Sequence, residues 1–284
     1  MSKITEQQPK VDLHSHTKYS DGKLTPEELV LRAQQMQVDM LAITDHDCVD
    51  GILPAQVAIN KHKLKLQLIS GIEISTKWHG FEIHILGLNV DEQHPALLDI
   101  IEMQRKTRVE RAEAMVNKLA FLNISNLFER VKAKATGTLS RVHIAQVLVE
   151  EGICSDIQQA FNKFLGDKKR AYVSANWLTI EQAVDVIHQA GGIASLAHPY
   201  HYDMKAKWLR KLFDAFSLAK GDATEVAHPN VSPTKTALIL AIAKEKGLLA
   251  SIGSDFHGPS RWNELGRKLH LPDGIEPVWE TWAK

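Results

Sequence analysis

Cysteine is scarce in this chain of 284 residues: Cys48 and Cys154 are the only two. Two thiols give no disulfide framework and fit a reducing, cytoplasmic setting. No run of about 18 apolar residues occurs, which excludes a membrane-spanning helix of ordinary length. The opening MSKITEQQPK is polar and lacks the apolar core of a secretion signal, so export is not expected. Internal repeats and low-complexity segments are also missing. Net charge is zero, with 34 Lys and Arg against 34 Asp and Glu. The balance is uneven, because residues 99–170 hold 13 basic and 9 acidic residues and so carry +4. A basic segment suits an anionic substrate and an acidic body suits cations. Two solvated surfaces account for the same difference.

Histidine is what the chain has in plenty: 14, against 6 Met and 4 Tyr. It is the commonest protein ligand for metals. A content of 44% hydrophobic and 24% charged residues is that of a soluble globular protein. At this length about 75% of the unfolded chain's surface can be buried, so the fold needs no covalent staples.

Short apolar runs bounded by turn residues predict seven strands: VDLHSH, DMLAIT, LQLISGIEIS, FEIHILGL, IASLAH, TEVA and LLASIGS. Helix signals lie between several of them. Thr25-Pro26-Glu27-Glu28 and Thr179 to Gln182 are capping boxes, the first with proline at the first helical position. Strand alternating with helix predicts an α/β protein with a parallel sheet, open or closed into a barrel. Residues 99–170 break the rhythm. Val109, Ala112, Val116 and Leu119 recur at helical spacing, Ser140 is placed to cap RVHIAQVLVEEG, and Ser155 to Gln158 forms a further capping box. The expected organisation is a barrel in two parts, 1–98 and 171–284, with a helical insert at 99–170. The helices flanking Gly152 have the outline of a DNA-binding helix pair. RVHIAQVLVEEG is not a basic recognition helix, so double-stranded DNA is not an expected partner.

Metal-ligand residue types collect at the strand ends. His14 and His16 lie one residue apart and point the same way from a strand. DMLAIT runs into Asp45-His46-Asp47, IASLAH ends on His198, and LLASIGS runs into Asp255-Phe256-His257. Glu73 and His84 stand inside otherwise apolar strands, where an unpaired charge is costly. In parallel α/β folds functional groups gather at the carboxyl ends of strands. Polar loops and satisfied core histidines explain any one of these residues but not all of them. The candidate ligands are His14, His16, Asp21, His46, Glu73, His84, His198, Asp255 and His257. Imidazole and carboxylate without thiolate favour manganese, iron or zinc over copper or an iron–sulfur cluster. Nine ligands exceed what one ion takes, so two or three ions are implied. Clusters of divalent ions serve phosphoester hydrolysis.

The ordered motifs DLHSHTKYSDG, TDHD, GIEIS, EIHILGL, SLAHP and GSDFHGP resemble the PHP (polymerase and histidinol phosphatase) family of phosphoesterases. The likeness covers nearly all of the chain after residue 10. Length and helical insert resemble the stand-alone subgroup that includes nucleoside 3′,5′-bisphosphate phosphatases and a 5′-to-3′ exoribonuclease. That resemblance implies a distorted (β/α)7 barrel with a helical cap insert and three divalent metal ions, commonly Mn2+. It implies that His14, His16 and Asp255 hold the first ion and that Glu73 bridges the first and second. His84 and His198 would complete the second, and Asp21, His46 and His257 would hold the third. The resemblance also marks Asp255, His257 and His198 as the expected catalytic residues.

The implied substrates are a nucleoside 3′,5′-bisphosphate losing its 3′-phosphate, or a short 5′-phosphorylated RNA trimmed from its 5′ end. Ser140, Arg141 and His143 form an SRxH-like motif whose arginine would hold substrate phosphate; a capping serine beside an exposed arginine is the plain alternative. His228 stands at another strand end, as a further phosphate contact, a proton donor or an ordinary loop histidine. Asp12 and Asp45 either orient imidazoles or cap turns. Cys48 is a thiol near the site or a packed neutral one. Lys168-Lys169-Arg170 either steers an anion or forms a solvated turn. Histidinol phosphatase is the alternative enzyme, from which the insert and the SRxH motif point away. A non-catalytic RNA-binding barrel would tolerate loss of ligands, and none of the nine is lost.

Overall fold

The computed structural model describes residues 8–228 and 231–282. Most of the polar opening stretch, residues 1–7, lies outside the described residues. Seven strands form one sheet in chain order: β1 (Val11–Asp12), β2 (Met40–Ile43), β3 (Gln67–Trp78), β4 (Phe81–Leu88), β5 (Ile193–Leu196), β6 (Ala223–Ala227) and β7 (Leu249–Ile252). The chain after β7 returns to the chain after β1. Leu13 N donates to Ile252 O at 2.9 Å, Phe256 N to His14 O at 3.2 Å, and His16 N to Phe256 O at 2.9 Å. The sheet is thereby a nearly closed seven-stranded barrel.

The sheet is not wholly parallel, which corrects one expectation. β4 runs antiparallel to both β3 and β5, and every other pair is parallel. Only His79 and Gly80 separate β3 from β4, and a parallel crossover needs about a dozen residues. Both turn residues have positive φ, 46° and 85°, as the tight hairpin turn that matches strand twist requires. The run VDLHSH is also shorter as a ladder than its sequence suggests. Only Val11 and Asp12 pair regularly with β2, and Ser15 makes an isolated bridge to Phe256.

Helices α1 (Pro26–Gln35), α2 (Ile52–His62), α7 (Ile180–Gln189), α8 (Ala206–Leu218) and α9 (Pro233–Lys246) join or cover the strands. Thr25 and Thr179 cap α1 and α7 through reciprocal capping boxes. The barrel core is aliphatic, with Ile72, Ile74, Ile83, Ile85, Leu86 and Leu196 fully buried.

Between β4 and β5 lie α3 (Pro95–Lys118), α4 (Leu127–Lys134), α5 (Arg141–Glu150) and α6 (Ile157–Ala160). These helices gather around a separate apolar cluster that includes Met115, Leu119, Val131, Ile144 and Leu148. α3 serves both cores, since Leu97 and Ile101 pack on the barrel and Ala112 and Met115 on the helical cluster. At α6 the cap is Asp156 rather than Ser155. The Asp156 carboxylate accepts from Gln159 N at 2.8 Å, while Ser155 N donates to Gln159 Oε1 at 3.0 Å.

Candidate metal centre

The barrel brings all nine sequence-marked side chains into one cluster. His14, His16 and Asp21 come from the segment after β1, and His46 from the loop after β2. Glu73 and His84 project from the hairpin β3–β4, where Ser75 stands opposite His84 in the ladder. His198 follows β5, and Asp255 and His257 follow β7. The strand after each parallel crossover starts at the same barrel end, so its carboxyl end delivers its ligand type to the same mouth.

Glu73 is the hub. One of its oxygens, Oε1, lies 2.9 Å from His84 Nδ1 and 2.9 Å from His198 Nε2. The other, Oε2, lies 2.9 Å from His46 Nδ1, 3.4 Å from His16 Nε2 and 3.5 Å from His14 Nε2. Asp255 Oδ1 sits 3.3 Å from His14 Nε2 and 3.1 Å from His16 Nε2. On the opposite side of His16, Asp21 Oδ1 lies 3.2 Å from His257 Nε2, and Asp21 Oδ2 lies 3.7 Å from His46 Nε2.

These atoms suit cations better than they suit each other. His14 Nε2 and His16 Nε2 approach to 3.1 Å, and His84 Nδ1 and His198 Nε2 to 3.3 Å, each a pair of potential acceptors. Asp21 Oδ1, His46 Nδ1, Glu73 Oε2 and His198 Nδ1 are buried and, close as some of them lie to one another, make no well-directed hydrogen bond. Buried polar atoms left unpaired are costly, and ion coordination satisfies them. Three groups of side chains are compact enough to hold an ion: His14, His16 and Glu73; His46, Glu73 and His84; and His16, Asp21, His46 and His257. An all-imidazole and carboxylate set of this kind fits divalent metal ions.

Protonation tells the same story. Burial opposes the charge of Glu73, Asp255 and Asp21, yet the surrounding imidazoles hold all three carboxylates well below their usual range. Burial likewise opposes charge on His84 and His257. Glu73 beside the first and Asp21 beside the second prevail and raise both to about 10. His16, buried next to His257, goes the other way, to about 3. The carboxylates demand positive charge, and without metal ions only protons supply it.

The carboxylates beside the ligands divide the alternatives left open by the sequence. Asp12 accepts from Ser254 Oγ at 2.6 Å, Ser254 N at 2.9 Å and Gly266 N at 2.8 Å. It ties β1 to the segment after β7 and touches no imidazole ring; burial raises it to about 6. Asp45 accepts from Thr17 N, Thr17 Oγ1 and Ser20 Oγ, pinning the turn that carries Asp21. Ser20 Oγ lies 3.5 Å from His16 Nδ1, so Asp45 bears on that imidazole only through Ser20. The Cys48 thiol is buried and burial pushes it up to about 12, the packed neutral state.

Several supporting residues escaped the sequence reading. Glu225 on β6 is fully buried; its Oε1 lies 3.1 Å from His14 Nδ1, and its Oε2 accepts from His198 N. Its signal was an acid inside the apolar run TEVA, the same signal that marked Glu73. Asp47 pairs with Arg108 on α3 at 2.6 Å and also accepts from Gln104 and Ser75 N. Gln104, Arg108 and Arg111 recur at helical spacing, so a buried polar stripe runs along α3 beside the expected apolar one, whose Ala112, Val116 and Leu119 are buried in the helical cluster with Val109 packed against it.

A small cleft of about 80 Å³, partly open to solvent, lies between the cluster and the helices. Asp21, His46 and His84 line it from the barrel, and Arg108, Arg111, Ser140, Arg141 and Phe161 from the helical side. Arg141 therefore faces the cluster. It lies 3.9 Å from Glu82, 3.7 Å from Asp167 and against the Phe161 ring, contacts loose enough to exchange for an anion. Ser140 and His143 act locally: Ser140 Oγ accepts from Val142 N at 3.1 Å, and Ser140 N donates to His143 Nδ1 at 3.0 Å. His228 stands with Tyr200 and His201 near His14 and Asp255, ring to ring at 5.0 and 4.8 Å. Lys168, Lys169 and Arg170 do not line the cleft; Arg170 lies over the Phe121 ring.

Comparison with known proteins sets this geometry in a family. The family model described as PHP domain matches residues 12–223. A 5′-3′ exoribonuclease, Rnm, of Escherichia coli (strain K12) is 48% identical over 274 residues, spanning 96% of this chain and 94% of that one. The 3′,5′-nucleoside bisphosphate phosphatase of Chromobacterium violaceum is 36% identical over 272 residues, spanning 95% of each. A solved amidohydrolase structure from Chromobacterium violaceum, with bound sulfate and no metal, superposes with a TM-score of 0.89 at 36% identity over 96% of both chains.

Proposed function

Because this chain belongs to the PHP domain family, we propose that it is a metal-dependent phosphoesterase acting on nucleotides. It releases the 3′-phosphate of nucleoside 3′,5′-bisphosphates and trims 5′-phosphorylated RNA from the 5′ end, a reading supported by relatives named as a 5′-3′ exoribonuclease and a 3′,5′-nucleoside bisphosphate phosphatase. The observation that carries this reading is the convergence of nine His, Asp and Glu side chains, with Glu73 as their hub, beneath a cleft faced by Arg141.

His14, His16 and Asp255, mutually within 3.3 Å, would hold one ion. His84 and His198, which share Glu73 Oε1, would hold the second, with Glu73 reaching across to the first. Asp21, His46 and His257 would hold a third. The imidazole and carboxylate set suits manganese, iron or zinc, and the resemblance to the phosphatase subgroup makes Mn2+ the first choice. Such ions supply Lewis acidity and lower the pKa of bound water.

The protein's own part is placement. Arg141 offers a guanidinium to a phosphate, and its loose contacts with Glu82 and Asp167 yield to that stronger partner. Ser140 holds the start of α5, and with it the Arg141 backbone, in place. Glu225 keeps His14 Nδ1 occupied, so that Nε2 is the nitrogen turned toward Asp255. One site serves both substrates, since gripping a 5′-phosphate and cleaving the next phosphoester releases inorganic phosphate from a bisphosphate and the shortened strand from RNA. Cys48 and Cys154, unpaired and buried, support a cytoplasmic setting.

The test is a parallel assay with added manganese of adenosine 3′,5′-bisphosphate, a short 5′-phosphorylated RNA and histidinol phosphate. Chelator-sensitive turnover of the first two is expected. Turnover of histidinol phosphate alone moves the assignment to that alternative.

A further inference from the structure

We propose that an aromatic patch at the tip of the β3–β4 hairpin, ringed by lysines, is a binding track for single-stranded RNA. The track holds the part of the strand that follows the bond being cut, and so rests on the nucleotide phosphoesterase reading. Trp78, His79 and Phe81 come from the hairpin and Trp208 from the start of α8. The Trp208 ring lies 5.7 Å from Trp78, 5.7 Å from His79 and 6.1 Å from Phe81, centroid to centroid. Packing leaves Trp208 37% exposed, and His79 is exposed beside it at the turn.

The surroundings decide what such a surface takes. Lys205, Lys207 and Lys211 are all exposed, and Lys211 Nζ stands 4.9 Å from the Trp208 ring centre. Among the described residues none of the three pairs with a carboxylate, whereas neighbouring Arg210 and Lys246 pair with Glu245 and Asp214. Exposed aromatic rings next to unpaired ammonium groups are the two parts of sequence-tolerant single-strand binding: rings stack bases and cations track phosphates. An aromatic cluster serving packing alone would need neither the exposed tryptophan nor the lysines.

Position links the patch to the cleavage site. Phe81 and His84 are three residues apart on β4, roughly 10 Å along an extended strand. A second link runs through Tyr202, whose Oη accepts from His84 N at 2.9 Å and whose ring packs on His198 at 5.5 Å. The chain then leads directly into Lys205, Lys207 and Trp208. Glu82 lines the cleft faced by Arg141, and Phe81, its neighbour on the strand, points to the other side. A 5′ nucleotide under Arg141 and a downstream strand along the hairpin tip therefore occupy different faces of β4. A nucleoside bisphosphate has no downstream strand and does not reach the patch.

Trp208→Ala and the double variant Lys207→Ala/Lys211→Ala test this. Each is assayed for KM on a short 5′-phosphorylated oligoadenylate and on adenosine 3′,5′-bisphosphate. Affinity for a fluorescent, non-cleavable form of the oligonucleotide is measured by anisotropy, and folding is checked by thermal melting. Expected for Trp208→Ala is a rise on the order of tenfold in KM and Kd for the oligonucleotide, with bisphosphate kinetics unchanged. The lysine variant should bind with a shallower salt dependence. Unchanged oligonucleotide KM and Kd in both variants overturns the track, as does wild-type protein that cleaves the bisphosphate yet neither binds nor cleaves the oligonucleotide. If wild-type protein hydrolyses nothing but binds the oligonucleotide through Trp208, the track stands and the hydrolytic reading falls.

Discussion

Glu225 Oε1 lies 3.1 Å from His14 Nδ1, on the side of the imidazole away from the nitrogen that faces Asp255. Both side chains are fully buried. A carboxylate behind a ligating imidazole fixes its tautomer and raises its basicity, and loss of such partners costs about 10–100-fold in metal affinity or activity. Glu225→Gln should bind manganese that much more weakly while keeping the wild-type circular dichroism spectrum. Equal manganese affinity in the two proteins would show that Glu225 serves packing alone.

Asp255→Ala removes the carboxylate shared by His14 and His16. Hydrolysis should drop by at least about 10²-fold even at saturating manganese, with the barrel still folded. Full activity in this variant, or in His14→Ala, is incompatible with the ligand assignment.

Two arginines that line one cleft should fail in different ways. Arg141 makes only loose contacts, so Arg141→Ala should raise KM for the bisphosphate by roughly tenfold or more, the loss of a charged hydrogen bond, and leave the melting temperature near wild type. Arg108 forms a buried pair with Asp47, and Arg108→Ala leaves that carboxylate without its counter-ion, with only Gln104 and Ser75 N donating to it. The expected cost is about 3–5 kcal/mol of stability, read by urea unfolding. Similar melting curves for the two variants would contradict the distinction.

Metal loading should release protons. In the metal-free cluster His84 and His257 are raised to about 10, so both hold protons at pH 8, and a ligating imidazole nitrogen must be free of them. The sign follows: apparent metal affinity rises as pH climbs from 7 toward 10, where competing protons leave unaided. In the metal-free protein the stability contributed by these two groups is complete below the unfolded value of about 6.5 and fades as pH passes 10. Manganese titrations at pH 8 in buffers of different ionisation enthalpy will reveal the released protons as a buffer-dependent heat. A buffer-independent heat rules this out.

The site was more legible in the sequence than the sheet. A charged residue inside an apolar strand has few explanations, so Glu73 and His84 stood out, and motif order supplied the rest. Strand direction is not written in periodicity. Alternation looks alike in either sense, and only the two-residue link His79-Gly80 carried the information that β4 runs backward. The arginines of α3 were hidden for a related reason, since a helix rich in Lys, Arg and Glu reads as a solvated face until its partner Asp47 is seen against it. Ser155 and Asp156 are both good caps, and the sequence alone does not rank them; in the fold the Asp156 carboxylate takes Gln159 N.

Five separate segments of the chain supply the nine side chains, and the first and last of them lie more than two hundred residues apart. During synthesis on the ribosome His14 and His16 therefore emerge long before Asp255 and His257. The ligand sets that draw on Asp255 and His257 stay incomplete until β7 closes beside β1. Filling of the whole cluster is thus tied to closure of the barrel, and a nascent or clipped chain lacking the β7 segment is barred from becoming an active nuclease.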